Sequence, residues 1–348
     1  MTSLPTSRPI SSAVPGLYRA DAVGAPRGIR FDRVVKAYQP GQHVVDDVSL
    51  AVEPGRFVVL LGPSGCGKTT LLKTVNRLVE PTSGSVSIDG VDVSATEPVA
   101  LRRGIGYVIQ QVGLFPHMTV AQNVAVVPSL NGWPAERQQA RVHEMLDLVH
   151  LPAEQFGARF PRELSGGQQQ RVGLARALAA DPNILLMDEP FGALDAIERT
   201  RLQGELIALQ RQLRKTVLFV THDVDEALRM ADAIVVMRAG RVVQYGTPLE
   251  IIARPADAFV GELTGAGDLV RLLALMCVAD VQLAQDGELP AGAAVIGLHA
   301  DLRTALSAML ASGTTRLVVT NDAGAAAGTL TFEAMLQAAR AAAEKPAP

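Results

Sequence analysis

The chain holds 348 residues, 48% hydrophobic and 19% charged, with 32 Lys and Arg against 35 Asp and Glu for a net charge of −3. That composition can bury a core, and its charge balance excludes a protein whose main task is to neutralise nucleic-acid phosphates, so no nucleic-acid partner is expected. Two cysteines exclude a disulfide scaffold, and no apolar run reaches the ~18 residues that crossing a bilayer requires.

Residues 1–28 are rich in Ser, Pro, Gly and Ala and read as a disordered tail without a secretory signal. From 29 to 255, short apolar runs alternate with helical patterns. Phe57–Leu61, Ile184–Met187, Val217–Val220 and Ile234–Met237 lack polar alternation, which predicts strands covered on both faces of a parallel sheet. Helical periodicity fills Thr69–Leu78, Gln168–Ala180, Ile197–Leu213 and Val224–Arg229, so the fold class is α/β. Ser85–Val93 alternates around Asp89-Gly90 and predicts a small antiparallel portion, while 112–164 reads as a helical subdomain. Beyond 255 a linker is expected over 256–292, then a small α+β unit over 293–341 and a tail over 342–348.

Gly62-Pro63-Ser64-Gly65-Cys66-Gly67-Lys68-Thr69 fits G-x-x-x-x-G-K-[ST] between a strand and a helix, the context that motif needs. Its backbone N–H groups form an anion nest at a positive helix end. Lys68 reaches the β and γ phosphates there, and the Thr69 hydroxyl can ligate Mg²⁺. Thr70 closes the binding run. The strand Ile184–Met187 ends on Asp188 and Glu189, the first placed for the Mg²⁺ shell and the second to polarise a water. Leu164-Ser165-Gly166-Gly167-Gln168-Gln169-Gln170-Arg171 supplies a second phosphate-seeking helix start. Ser165 and Gln168 make a capping box, and the two glycines leave the start bare.

Together these motifs resemble those of the ABC ATPases over about residues 29–260. Leu164–Arg171 is similar to the signature motif of that family, which faces the γ-phosphate held by a second copy. Gln110 resembles the Q-loop glutamine, its spacing to Phe115-Pro116 favouring it over the adjoining Gln111. Gly192-Ala193-Leu194-Asp195 resembles the D-loop, though Asp195 also stands where it would cap the next helix. His222 resembles the switch histidine, and Tyr38, ahead of the first strands, the aromatic that stacks on adenine. The resemblance implies a P-loop NTPase fold with ATP and Mg²⁺ as ligands. It implies a catalytic group of Glu189, His222 and Gln110, and a metal shell of Thr69, Gln110 and Asp188. It also implies a homodimer clamping ATP between one P-loop and the partner's Ser165, Gly166, Gly167 and Gln168.

Tyr107–Thr119 and Leu178–Pro182 further resemble bacterial quaternary-amine importers, those for glycine betaine, choline or carnitine. This implies an ATPase subunit lying peripherally on the cytoplasmic face of the membrane. Its partners would be permease subunits and a periplasmic or lipid-anchored solute-binding protein. An importer for amino acids, sulfonates or polyamines, a soluble ABC protein and a regulatory module without turnover stand as alternatives. Val318–Asp322 through Gly328–Thr331 resembles a CBS motif, single where such motifs normally pair, with 270–292 as the remnant of a partner strand and helix. Sensor and dimerisation element are both open for it.

Overall fold

The computed structural model describes residues 27–110, 113–192, 194–284 and 294–344. The sequence readings at 1–26, 111–112, 193, 285–293 and 345–348 lie outside the described residues.

Ile29, Phe31 and Val34 of β1 (Ile29–Gln39) and Val48, Leu50 and Val52 of β2 (Gln42–Val52) are buried, with exposed residues between them. The strands therefore pair antiparallel with one dry face. Tyr38, expected ahead of the first strands, lies inside β1. β3 (Phe57–Leu61) is 2% exposed or less at every position. Val58 and Leu60 pack with Phe31, Val48 and Leu71 on one face, and Phe57, Val59 and Leu61 with Phe219 and Ile234 on the other. Both faces being dry, no polar residue alternates. α1 (Lys68–Val75) leaves β3 through the glycine-rich turn. β4 (Ser83–Ile88) and β5 (Val91–Asp92) fold around Asp89-Gly90, as predicted, and complete an antiparallel sheet in the order β2-β1-β4-β5.

α2 (Pro98–Arg103) and β6 (Ile105–Val108) lead into α3 (Val120–Leu130), α4 (Ala135–Leu148) and α5 (Ala153–Phe156), the helical insertion. The chain returns through α6 (Gly166–Leu178), β7 (Ile184–Asp188), α7 (Ala196–Leu213), β8 (Thr216–Thr221), α8 (Val224–Met230), β9 (Ala233–Arg238) and β10 (Arg241–Gly246). The main sheet runs β10-β9-β3-β8-β7-β6, parallel except at β10. Leu61 pairs with Thr221 and Asp188 with Val220, so β3, β7 and β8 end at one edge. The turns after parallel strands are where an open α/β sheet builds its ligand sites.

α9 (Pro248–Ala253), α10 (Ala258–Thr264) and α11 (Leu269–Ala274) follow. Then come β11 (Val295–Gly297), α12 (Leu302–Ser312), β12 (Arg316–Thr320), β13 (Ala326–Thr331) and α13 (Phe332–Glu344), with a sheet in the order β11-β12-β13. The linker reading needs correcting over 256–284. Val260, Leu272, Leu273, Met276 and Val278 are buried in one apolar cluster with Leu302, Leu317, Leu330 and Met335. The Leu302 N–H donates to the Met276 carbonyl and the Val278 N–H to that of Ala300, while Ala284 and Thr329 exchange N–H···O bonds beside β13. A unit of about 50 residues buries only a marginal apolar core alone. This one closes its core on helices of its own chain. Among the described residues no helix is long and apolar enough to cross a membrane.

Candidate functional site

The glycine-rich turn is wedged between the β1–β2 hairpin and the β9–β10 turn. A Cβ on Gly62 would stand 2.3 Å from the Met237 carbonyl oxygen, and one on Gly67, whose φ is +104°, 2.3 Å from that of Val44. Packing and backbone conformation therefore both demand glycine. The Gly240 N–H donates to the Cys66 carbonyl and the Asp46 N–H to that of Gly240, which clamps the turn from outside. Pro63, Ser64 and Gly65 form its exposed lip and Cys66 lies beneath, 4% exposed. Lys68 is 5% exposed and its Nζ donates to the Gly62 and Pro63 carbonyls at 2.7 and 2.9 Å. Thr70, half-buried, sits in the first turn of α1 beside Thr69.

The Thr69 hydroxyl donates to Asp188 Oδ1 at 2.7 Å. Glu189 follows with a φ of +45°, a conformation that costs a side-chain-bearing residue energy and here turns the chain sharply at the end of β7. Its N–H is anchored to the Val220 carbonyl at 3.0 Å. Gln110 Nε2 donates to Glu189 Oε2 at 3.2 Å, and His222 Nδ1 lies 3.2 Å from Oε1. Residues from separate loops thus meet on one carboxylate. His222 is flanked by fixed neighbours. The Thr221 hydroxyl accepts from the Asp223 N–H and donates to Glu226 Oε2, and Asp223 caps α8. Burial pushes the Glu226 carboxyl above its usual range, against the pull of the Thr221 hydrogen bond. Burial, with the Asp188 charge nearby, likewise holds the Tyr107 phenol well above its ordinary value. The Thr69 hydroxyl and the Asp188 carboxylate, in contact with each other, are oxygen donors of the kind a small hard divalent cation takes.

At α6 the capping box is present: Ser165 Oγ accepts from the Gln168 N–H at 3.3 Å and Gln168 Oε1 from the Ser165 N–H at 3.0 Å. A Cβ on Gly166 would meet nothing within 4 Å, and one on Gly167 only the Glu198 side chain, at an ordinary 3.6 Å. Nothing in this chain requires glycine there, although alanine would favour the helix by about 0.5–1 kcal/mol. Gln170 donates to the Pro190 carbonyl, tying α6 to the Glu189 turn. Asp195 Oδ1 accepts from the Ile197 and Glu198 N–H groups, so it caps α7. Among the described residues no hydrogen bond brings Ser165, Gly166, Gly167, Gln168 or Asp195 to the glycine-rich turn. Tyr38 stands 62% exposed on β1, with Lys36 Nζ 5.1 Å from its ring centre.

A family model described as "ABC transporter" matches residues 45–192. The glycine betaine uptake system ATP-binding protein YehX of Escherichia coli (strain K12) is 46% identical over 312 residues, covering 88% of this chain and 99% of that protein. The chain belongs to the ABC transporter ATP-binding family. The carnitine transport ATP-binding protein OpuCA of Listeria monocytogenes is 53% identical over 242 residues, 70% of this chain and 61% of that protein. The chain thus spans about three-fifths of the length of the first curated relatives it matches. A solved dimeric post-hydrolysis state of the ATP-binding cassette MJ0796, bound to ADP and Pi, aligns with a TM-score of 0.58 at 35% identity, over 63% of this chain and 98% of that one. The P-loop NTPase architecture of the ABC ATPases, expected from the motifs, is therefore the fold of the chain's ATPase core.

One residue that supports the loop after Gln110 escaped the sequence reading. Asn123 on α3 is fully buried and bonded to the loop that follows Gln110. A signal was present, an amide between Val120 and Val124 on the apolar face of a helix.

Proposed function

We propose that the chain is the ATP-hydrolysing subunit of an importer for quaternary amines such as glycine betaine, choline or carnitine. It would lie at the cytoplasmic face of the membrane with permease subunits and a periplasmic or lipid-anchored solute-binding protein. The cargo is that of the systems named for the relatives. Two copies clamp ATP between the glycine-rich turn of one and the α6 start of the other. The observation that carries this is the start of α6, where Gly166 is exposed, no close contact within the chain requires either glycine, and the helix end attracts anions.

The amides of 62–69 cradle the phosphates, and Lys68 turns from its carbonyl partners to the β and γ groups. Thr69, Asp188 and Gln110 would hold Mg²⁺, which supplies charge neutralisation on the γ-phosphate. A water oxygen bonds to the γ-phosphorus, the bond to the β–γ bridging oxygen breaks, and the water proton passes to the Glu189 carboxylate. ADP and phosphate result. Gln110 and His222 fix that carboxylate, and His222 also reaches the γ-phosphate. Tyr38 stacks on adenine, and Asp195 lines the contact between copies beside the partner's Ser165 and Gly167. The loop after Gln110 meets the permease. The C-terminal unit is read as a single CBS-like motif from its sequence resemblance alone. Its core is closed within the chain, which favours a fixed appendage over a free dimerisation arm.

Glu189→Gln with Mg-ATP should sediment as a dimer while turnover falls by about 10²–10⁴-fold; a protein that stays single overturns the clamp. Lys68→Ala should stop uptake of labelled choline and glycine betaine in cells carrying the importer. Unchanged uptake of both would assign a different cargo.

A further inference from the structure

Phe115, Pro116 and His117 are exposed, and the rings of Phe115 and His117 stand edge to face at 6.0 Å. An exposed aromatic loop without strand or helix pairing is ordinarily soft, because its backbone groups exchange partners with water. This loop is pinned from beneath. Asn123 is 0% exposed; its Oδ1 accepts from the Phe115 N–H at 2.8 Å, and its Nδ2 donates to the carbonyls of Phe115, Met118 and Thr119 at 3.1, 3.2 and 3.0 Å. Two N–H donors facing three carbonyls must share, so both donors of the side chain are committed to the loop. No other side chain of this size both accepts and donates in that way. Aspartate lacks the donors and leucine lacks everything polar.

A second hold comes from α6. Arg176 donates to the Gly113 carbonyl at 2.7 Å, and its guanidinium lies 6.0 Å from the centre of the Phe115 ring. Ser165 caps the same helix at its other end. At ~1.5 Å per residue the cap and Arg176 are about 16 Å apart, so one rigid rod joins the phosphate-seeking start to the loop.

We infer that Asn123 is a positioning residue for coupling. It holds residues 115–118 as a preformed ledge for the cytoplasmic surface of the permease, and Arg176 transmits the movement of α6 to that ledge. The inference rests on the importer reading and adds to it the part that turns nucleotide clamping into force on the partner. Asn123 touches neither nucleotide nor cargo, so its loss should separate ATP hydrolysis from transport.

The test uses Asn123→Ala and, as a surface control, Phe115→Ala, each as the purified subunit and in the importer isolated with its permease. In Asn123→Ala the isolated subunit should keep kcat and KM for ATP within about twofold. Amide exchange over 115–119 should accelerate about tenfold or more, and transport per ATP hydrolysed should fall about tenfold. Phe115→Ala should lose transport with loop exchange unaltered. Should Asn123→Ala not fold, Asn123→Asp keeps the shape and the acceptor, removes the donors, and should give the same separation. Normal transport per ATP in the Asn123 variants alone overturns the ledge. Normal transport in Phe115→Ala as well overturns permease docking at this loop. Isolated ATPase and transport falling in equal proportion reduce Asn123 to a fold residue and overturn the inference too.

Discussion

Glycine stands at the start of both α1, which Gly67 caps, and α6, yet a methyl group on Gly67 would lie 2.3 Å from the Val44 carbonyl, whereas one on Gly167 would meet the Glu198 side chain at 3.6 Å. The first helix start is enclosed by its own chain: the hairpin, the β9–β10 turn and Lys68 crowd against it. The second has room for a methyl group at both glycines, and alanine would suit its helix better. A glycine that the fold demands reports on the fold. A glycine that the fold could spare reports on something that must approach from outside.

The contrast can be broken most forcefully at Gly67. Gly67→Ala should lose about 3 kcal/mol or more of stability in denaturant unfolding, since strain at positive φ adds to the clash with backbone. Unchanged stability would mean that the hairpin yields and the turn is not enclosed. Gly167→Ala should do the reverse. We expect unfolding stability to rise by about 0.5–1 kcal/mol while nucleotide-driven pairing and turnover are lost. A less stable Gly167→Ala would return that glycine to the fold.

α8 sharpens the comparison as a helix start without glycine, capped by Asp223 and backed by buried Glu226. Burial raises the Glu226 carboxyl, so the folded chain favours its protonated form. The penalty is absent at low pH, where the carboxyl is protonated in both folded and unfolded chains. It grows as pH rises through the ordinary carboxylate range and is complete above the raised value. Glu226→Gln should therefore raise Tm by about 1–2 °C at pH 8 and leave it unchanged at pH 4. An equal rise at both would point to packing instead.

Motifs that sit directly after fully buried strands were legible in the sequence. β3 was bounded to the residue and β7, β8 and β9 to within one, because strands dry on both faces cannot carry polar alternation. The glycine-rich turn, Glu189 and His222 follow those strands, Asp188 ends one of them, and all came with them. β1 and β2 stayed unread because bulges between Phe31 and Val34 and beyond break the period of two. α9, α10 and α11 are too short to show a helical period, and their buried faces are set by what packs on them. Asn123 was missed because its partners are main-chain groups, which residue identities do not reveal, and its one visible sign was an amide on the apolar face of α3.

Cutting the chain after Ala284 would strip Leu272, Leu273 and Met276 from an interior they share with Leu317 and Met335. The C-terminal piece is therefore no detachable cartridge. A recombinant that borrows it from a relative must bring α11 and the stretch to Ala284 along, and a calorimeter should record its melting inside the single endotherm of the whole chain.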